Sequence, residues 1–181
     1  MTTIEQARAL AARIKLMAFD VDGVLTDGSL YISDEGIETK VFNTRDGHGL
    51  RMLQKAGIKL AIITGRRARC VELRMKDLGI ELVFQGVANK IECMQALLRE
   101  QGLSREEAGF MGDDVIDVQA MALCGFSAAP NDAHPLVKRH AALIVEKEGG
   151  RGAAREVCEF ILEAQGRLDA SFSGYLLANW Q

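Results

Sequence analysis

The sequence predicts a doubly wound α/β domain, and three observations carry that prediction. Apolar runs of about four to seven residues alternate along the chain with longer stretches whose apolar positions recur every three or four residues. Glycines stop two of the helical stretches, at Gly57 and Gly79. Unusual polar groups gather where the apolar runs end, which is where parallel sheets place ligands. Repeated strand–helix alternation implies a parallel sheet, because right-handed crossovers lay helices on both of its faces.

Taken in order, IKLMAF (14–19) is the first buried strand. SLYIS (29–33) and IETKVFN (37–43), joined by the turn signal DEG, read as a projecting β-hairpin. GLRMLQKAG (49–57) has helical spacing, IKLAIIT (58–64) is a buried strand, and RARCVELRMKDLG (67–79) is the next helix. ELVFQ (81–85) and NKIECMQALLREQG (89–102) repeat the alternation, and Ser104 with Glu107 forms a capping-box pattern ahead of the strand AGFM. The remainder reads as helix VIDVQAMALCG, strand FSAAP, helix HPLVKRHA, strand ALIVE and helix GAAREVCEFILEAQG. Residues 166–181 are left as a C-terminal tail, in which Tyr175, Leu176, Leu177 and Trp180 are apolar enough to pack on a neighbouring copy.

Bulk composition narrows the functions available. A chain of 181 residues, 48% hydrophobic and with two prolines, suffices for one domain over residues 1–181. A net charge of −3 with interspersed signs favours neither nucleic acid nor an anionic membrane, so any anion site must be local. Cys70, Cys93, Cys124 and Cys158 form no CxxC pair and are expected to be buried, reduced thiols. No run approaches the ~20 apolar residues of a membrane span, and the N-terminus lacks a continuous apolar signal core. A soluble, cytoplasmic protein is expected.

Four strand ends carry the polar groups: Asp20 and Asp22, Thr64, Lys90, and the cluster Asp113, Asp114 and Asp117. Each alone has an ordinary explanation as a cap, a turn or a solvated first-turn residue. Together, parallel strand ends would bring several carboxylates, one lysine and one hydroxyl to a single edge. Like charges about 4 Å apart cost about 4 kcal/mol at an effective dielectric near 20 unless a cation or proton offsets them, and a hard divalent cation is the natural solution. Oxygen donors with no competing His or Cys suit Mg²⁺. Such a set performs phosphoryl transfer: an aspartate attacks phosphorus, a second carboxyl exchanges the proton, and lysine, hydroxyl and backbone N–H groups hold the phosphoryl oxygens. Asp20 and Asp22 both reach the site from one short loop, and Gly23 lets that loop approach closely.

FDVDGVLTDG, ITGR, a downstream NK and GDDVID, in that order over roughly residues 16–120, resemble the four motifs of the haloacid dehalogenase superfamily. The resemblance implies a Rossmann-like domain of that type. It implies Asp20 as nucleophile, Asp22 as general acid/base, and Thr64 with Gly65 and Lys90 as phosphoryl binders. It further implies a Mg²⁺ site of Asp20, Asp113 and the Asp22 carbonyl, with Asp114 and Asp117 as supporting acids. The intervals between Asp20, Thr64 and Lys90 are filled by the hairpin and single strand–helix units, so no cap domain fits. An open site is poor for catalysis. Self-association through Leu30, Tyr31, Ile32, Val41 and Phe42 of the hairpin is the expected remedy.

Over about residues 14–165, the capless pattern with FNTRDGHGLRML, QGVANK and EGGRGAAREVCEFIL looks like the 3-deoxy-D-manno-octulosonate 8-phosphate phosphatases of bacterial lipopolysaccharide synthesis. That family implies a homotetramer whose hairpins form a central barrel. Arg66 in TGR favours this branch over phosphatases of nine-carbon sialic-acid-type phosphates, where an acidic residue is expected. A sugar acid bearing carboxylate and phosphate needs further cations, for which Arg45, Arg66, Arg67 and Arg151 are candidates. His48 reads as a helix-start residue, and His134 and His140 as structural or exposed. Two rivals remain: a phosphoacceptor receiver, which lacks a second acidic cluster after its lysine, and a non-catalytic oligomeric module, which needs neither Asp20 nor Asp22.

Overall fold

The computed structural model describes residues 2–175. It begins with helix α1 (Ile4–Ala11), whose capping box joins Thr3 and Gln6: Thr3 N donates to Gln6 Oε1 at 2.8 Å. Strand β1 (Leu16–Phe19) follows, then the short hairpin strands β2 (Tyr31–Ile32) and β3 (Glu38–Thr39), then α2 (Thr44–Lys55). Alternation continues through β4 (Lys59–Thr64), α3 (Arg69–Leu78), β5 (Leu82–Gln85), α4 (Lys90–Gln101), β6 (Ala108–Met111), α5 (Val118–Leu123), β7 (Phe126–Ala129), α6 (Pro135–His140), β8 (Leu143–Ile144), α7 (Ala153–Ala164) and α8 (Leu168–Phe172).

Six strands form one parallel sheet in the order β5-β4-β1-β6-β7-β8. Alternate residues feed opposite layers. Met17 and Phe19 of β1 and Leu60 and Ile62 of β4 join the cluster under α2 and α7, whereas Leu16, Ala18, Ala61 and Ile63 join the one under α4 to α6. The chain winds outward from β1 through β4 to β5, then returns to β6 on the other side of β1. The switch point therefore lies between the carboxyl ends of β1 and β6. No separate domain interrupts the described chain between Asp20 and Lys90, and no described helix is long and apolar enough to cross a membrane.

Several local expectations need correction. The hairpin strands are two residues each, pairing Tyr31 with Thr39 and Ile32 with Glu38. Residues after Thr39 leave the ladder so that Lys40 is buried and Phe42 packs against the core instead of projecting. Helix α2 starts at Thr44, not 49, with the Asn43 side chain accepting from Arg45 N at 2.8 Å. Gly47 and Gly49 hid this start, yet close packing requires them: a Cβ at Gly49 would sit 2.9 Å from Arg155 Cα of α7. VIDVQAMALCG divides into a 3₁₀ turn over 115–117 and α5. Helices α1 and α8 add to the expected set, and the expectations at Leu176, Leu177 and Trp180 lie outside the described residues. Cys158 is buried, but Cys70, Cys93 and Cys124 are only half-buried; all four are free thiols.

Candidate active site

Two loops at the switch point bring the carboxylates together. Asp20 N donates to Met111 O at 3.0 Å, extending the β1/β6 ladder one residue beyond the strands. Asp20 thus stands beside the start of the 112–117 loop. Gly23 has φ +80°, and a Cβ there would lie 2.0 Å from Asp113 Oδ2. The glycine read from sequence as room for phosphate is also what lets the 20–28 loop close over Asp113.

Charge is unevenly neutralised within this cluster. Lys90, the first residue of α4, is 4% exposed, and its Nζ lies 2.9 Å from Asp20 Oδ2 and 2.6 Å from Asp117 Oδ1. Asp117 is fully buried, and its Oδ2 accepts from Asp113 N at 3.1 Å and Asp114 N at 3.2 Å. Both Asp117 oxygens are therefore occupied, making it a brace for Lys90 and for the loop. Asp114 accepts from Val115 N and starts the 3₁₀ turn. By contrast Asp20 Oδ1 and Asp113 Oδ1 are buried without a hydrogen-bond partner. Burial, then the Asp117 charge, against the opposing pull of Lys90, raises Asp20 to about 6. Burial, then the charges of Asp20, Asp117 and Asp114, raises Asp113 to about 8. Lys90 is raised too: burial pulls it down, but Asp20 and Asp117 more than offset that.

Oxygen atoms of Asp20, Asp113 and Asp117 all lie within 4.8 Å of one another. Two buried carboxylate oxygens with no partner, facing excess negative charge, fit a hard divalent cation. Because Asp117 is committed to its own hydrogen bonds, Asp20 and Asp113 are the side chains free to hold one.

A second layer surrounds Asp22. Its Oδ1 accepts from Lys40 Nζ, and its Oδ2 lies 3.9 Å from Arg66 Nε. Arg66 Nη2 donates to Glu38 Oε2 at 2.9 Å, and Lys40 Nζ lies 2.9 Å from Glu38 Oε1. Lys40 is raised: burial opposes this, but its donation to Asp22 and its pairing with Glu38 outweigh it. Thr64 is buried at the carboxyl end of β4, followed by Gly65. The 149–152 loop packs on the 20–28 loop, with Gly150 N donating to Val24 O at 2.9 Å, and this sets Arg151 Nη2 3.5 Å from Asp27 Oδ2. Arg45 is exposed at the start of α2, and Arg67 lies over Gly86. Neither pairs with a carboxylate of the cluster. His48 meets the Tyr175 ring edge-on at 5.4 Å, and His134 caps α6. Sequence reasoning missed Lys40 and Glu38. The signal was the alternation in IETKVFN, which puts Glu38, Lys40 and Phe42 on one face and Ile37, Thr39 and Val41 on the other.

Comparison with known proteins agrees with this geometry. Residues 40–128 match the haloacid dehalogenase-like hydrolase family. The 3-deoxy-D-manno-octulosonate 8-phosphate phosphatase KdsC of Escherichia coli K12 is 46% identical over 161 residues, 89% of this chain and 86% of the relative. The crystal structure of the Yersinia pestis phosphatase of that name superposes with a TM-score of 0.89 at 45% identity, covering 90% of this chain and 88% of the other. That of the Moraxella catarrhalis phosphatase, in complex with magnesium, phosphate and KDO, gives 0.94 at 38% identity, covering 96% and 100%. With identity of this order over about nine-tenths of its length, the chain belongs to the 3-deoxy-D-manno-octulosonate 8-phosphate phosphatase family of the haloacid dehalogenase-like hydrolases.

Proposed function

We propose that this chain is a Mg²⁺-dependent phosphatase that hydrolyses 3-deoxy-D-manno-octulosonate 8-phosphate to the free sugar acid and phosphate. The observation that carries this reading is the pair of buried, unpartnered oxygens on Asp20 and Asp113 beside Lys90. Relatives named for this reaction support the substrate. Asp20, Asp113 and the Asp22 main-chain carbonyl would hold Mg²⁺, which when bound offsets the charge of the carboxylates and of the phosphoryl oxygens.

An Asp20 oxygen attacks phosphorus, and the bond from phosphorus to the sugar oxygen breaks as Asp22 protonates the leaving alkoxide. Asp22 then takes a proton from water, which attacks the aspartyl-phosphate, frees inorganic phosphate and restores Asp20. Lys90, Thr64 and the Gly65 backbone bind the phosphoryl oxygens, with Lys90 held at 2.6 Å by Asp117. Asp114 supports the loop as its cap. Arg66, Arg45 and Arg151 are the cations for the sugar acid. Arg66 and Arg151 stand beside the 20–28 loop, whereas Arg45 lacks such a contact and would act from the rim.

Residues 1–181 act as one phosphatase domain with the hairpin 29–43 and the tail 166–181 as appendages, working in the cytoplasm in lipopolysaccharide synthesis. Association into a homotetramer through the hairpins is supported by exposed Leu30, Tyr31, Ile32, Ile37 and Val41. Phosphate release from the sugar-acid phosphate is the test. Asp20→Asn should lose about a thousandfold or more in kcat with Mg²⁺ present and the fold intact. A near-normal rate would overturn the reading.

A further inference from the structure

Lys40 has no part in phosphoryl transfer as described above, yet its side chain is 1% exposed. Burying an ammonium is costly unless it is fully paired. Lys40 donates a hydrogen bond to Asp22 Oδ1 and lies 2.9 Å from the buried Glu38 Oε1, an ion pair without hydrogen-bond geometry. Glu38 Oε2 in turn accepts from Arg66 Nη2 at 2.9 Å, and Arg66 Nε faces Asp22 Oδ2 from 3.9 Å. The four groups close a neutral ring, with hairpin residues reaching back to the catalytic loop. One Asp22 oxygen is fixed; the other lies beyond hydrogen-bond reach of Arg66 and is free to exchange a proton.

We propose that Lys40 is a positioning residue for Asp22: it fixes Oδ1, and with Glu38 and Arg66 it aims Oδ2 at the leaving oxygen. The proposal rests on the reading of Asp22 as proton donor and acceptor. Lys40 keeps its own protons throughout. The proton passes from Asp22 to the alkoxide and returns to Asp22 from the attacking water. Misdirecting Asp22 slows a step only where that proton is needed. An alkoxide needs it; p-nitrophenolate leaves without it.

Rapid-quench measurement of enzyme phosphorylation in the full-length, Mg²⁺-loaded protein separates the two cases. Lys40→Met should lose about 10- to 100-fold with the sugar-acid 8-phosphate, with KM within about threefold, and less than about threefold with p-nitrophenyl phosphate. Equal losses on both substrates, or no loss on the alkyl phosphate, overturn the proposal. Lys40→Gln carries the same expectation should the Met variant fail to fold by circular dichroism; failure of both to fold makes Lys40 a structural residue and also overturns it. Asp22→Asn, measured in parallel, should lose selectively on the alkyl phosphate. If it does not, the reading of Asp22 falls. If it does and the Lys40 variants do not, only the present proposal falls.

Discussion

Asp113 keeps its proton to about pH 8 in the metal-free protein because it is buried among other acids with one oxygen unpaired. Asp20 is likewise raised, to about 6. A carboxyl whose folded pKa exceeds its unfolded value near 3.8 stabilises the fold fully below that value, and loses this contribution as pH rises through the folded pKa. With a chelator present, the melting temperature should therefore fall between about pH 4 and pH 8. Since a cation binds only the ionised carboxylates, Mg²⁺ should raise it more at pH 9 than at pH 6. Asp113→Asn should flatten both trends, and a melting temperature indifferent to Mg²⁺ at pH 9 would contradict the shared site. These acids were legible from sequence because they sit at strand ends in a parallel pattern. Lys40 was not, because a lysine in a short hairpin ordinarily points to solvent, and its only mark is that it shares a face with Phe42, which packs on the core.

At the scale of elements, the site depends on how α7 and its preceding loop press against the 20–28 loop. Asp46, 2% exposed at the start of α2, accepts from Arg155 N at 2.8 Å and Gly152 N at 3.2 Å, so it caps α7 from another helix. Replacing it by Ala should leave those donors unmet and cost about 1–3 kcal/mol, read as a lower denaturant midpoint with an unchanged m-value. No loss of stability would remove the cap from this account. Strands and most helices were legible because their apolar periods are clean. The capping box of Ser104 and Glu107 formed as read. The start of α2 was obscured because Gly47 and Gly49 weaken helix propensity, and only tertiary packing against Arg74 and Arg155 explains their presence. The Thr3 and Gln6 box was a signal for α1 that went unused.

For the whole molecule, the topology is the argument: winding outward from β1 in both directions leaves a crevice between β1 and β6, and the acids line it. The hairpin inverts the usual rule, burying Lys40 while exposing Ile37 and Val41, at 64% and 59%. The proposed association through the hairpins predicts that Ile37→Glu with Val41→Glu lowers the mass seen in sedimentation velocity; an unchanged mass would contradict it. What covers that apolar face was not legible in one chain, because an exposed face alone does not define its partner. The proposed function requires that Asp20 captures phosphorus. Acid quench during turnover followed by peptide mapping should find a phosphoryl group on the peptide bearing Asp20, dependent on Mg²⁺ and absent in Asp20→Asn. Rapid turnover with no such adduct, together with a near-normal rate in Asp20→Asn, would contradict it.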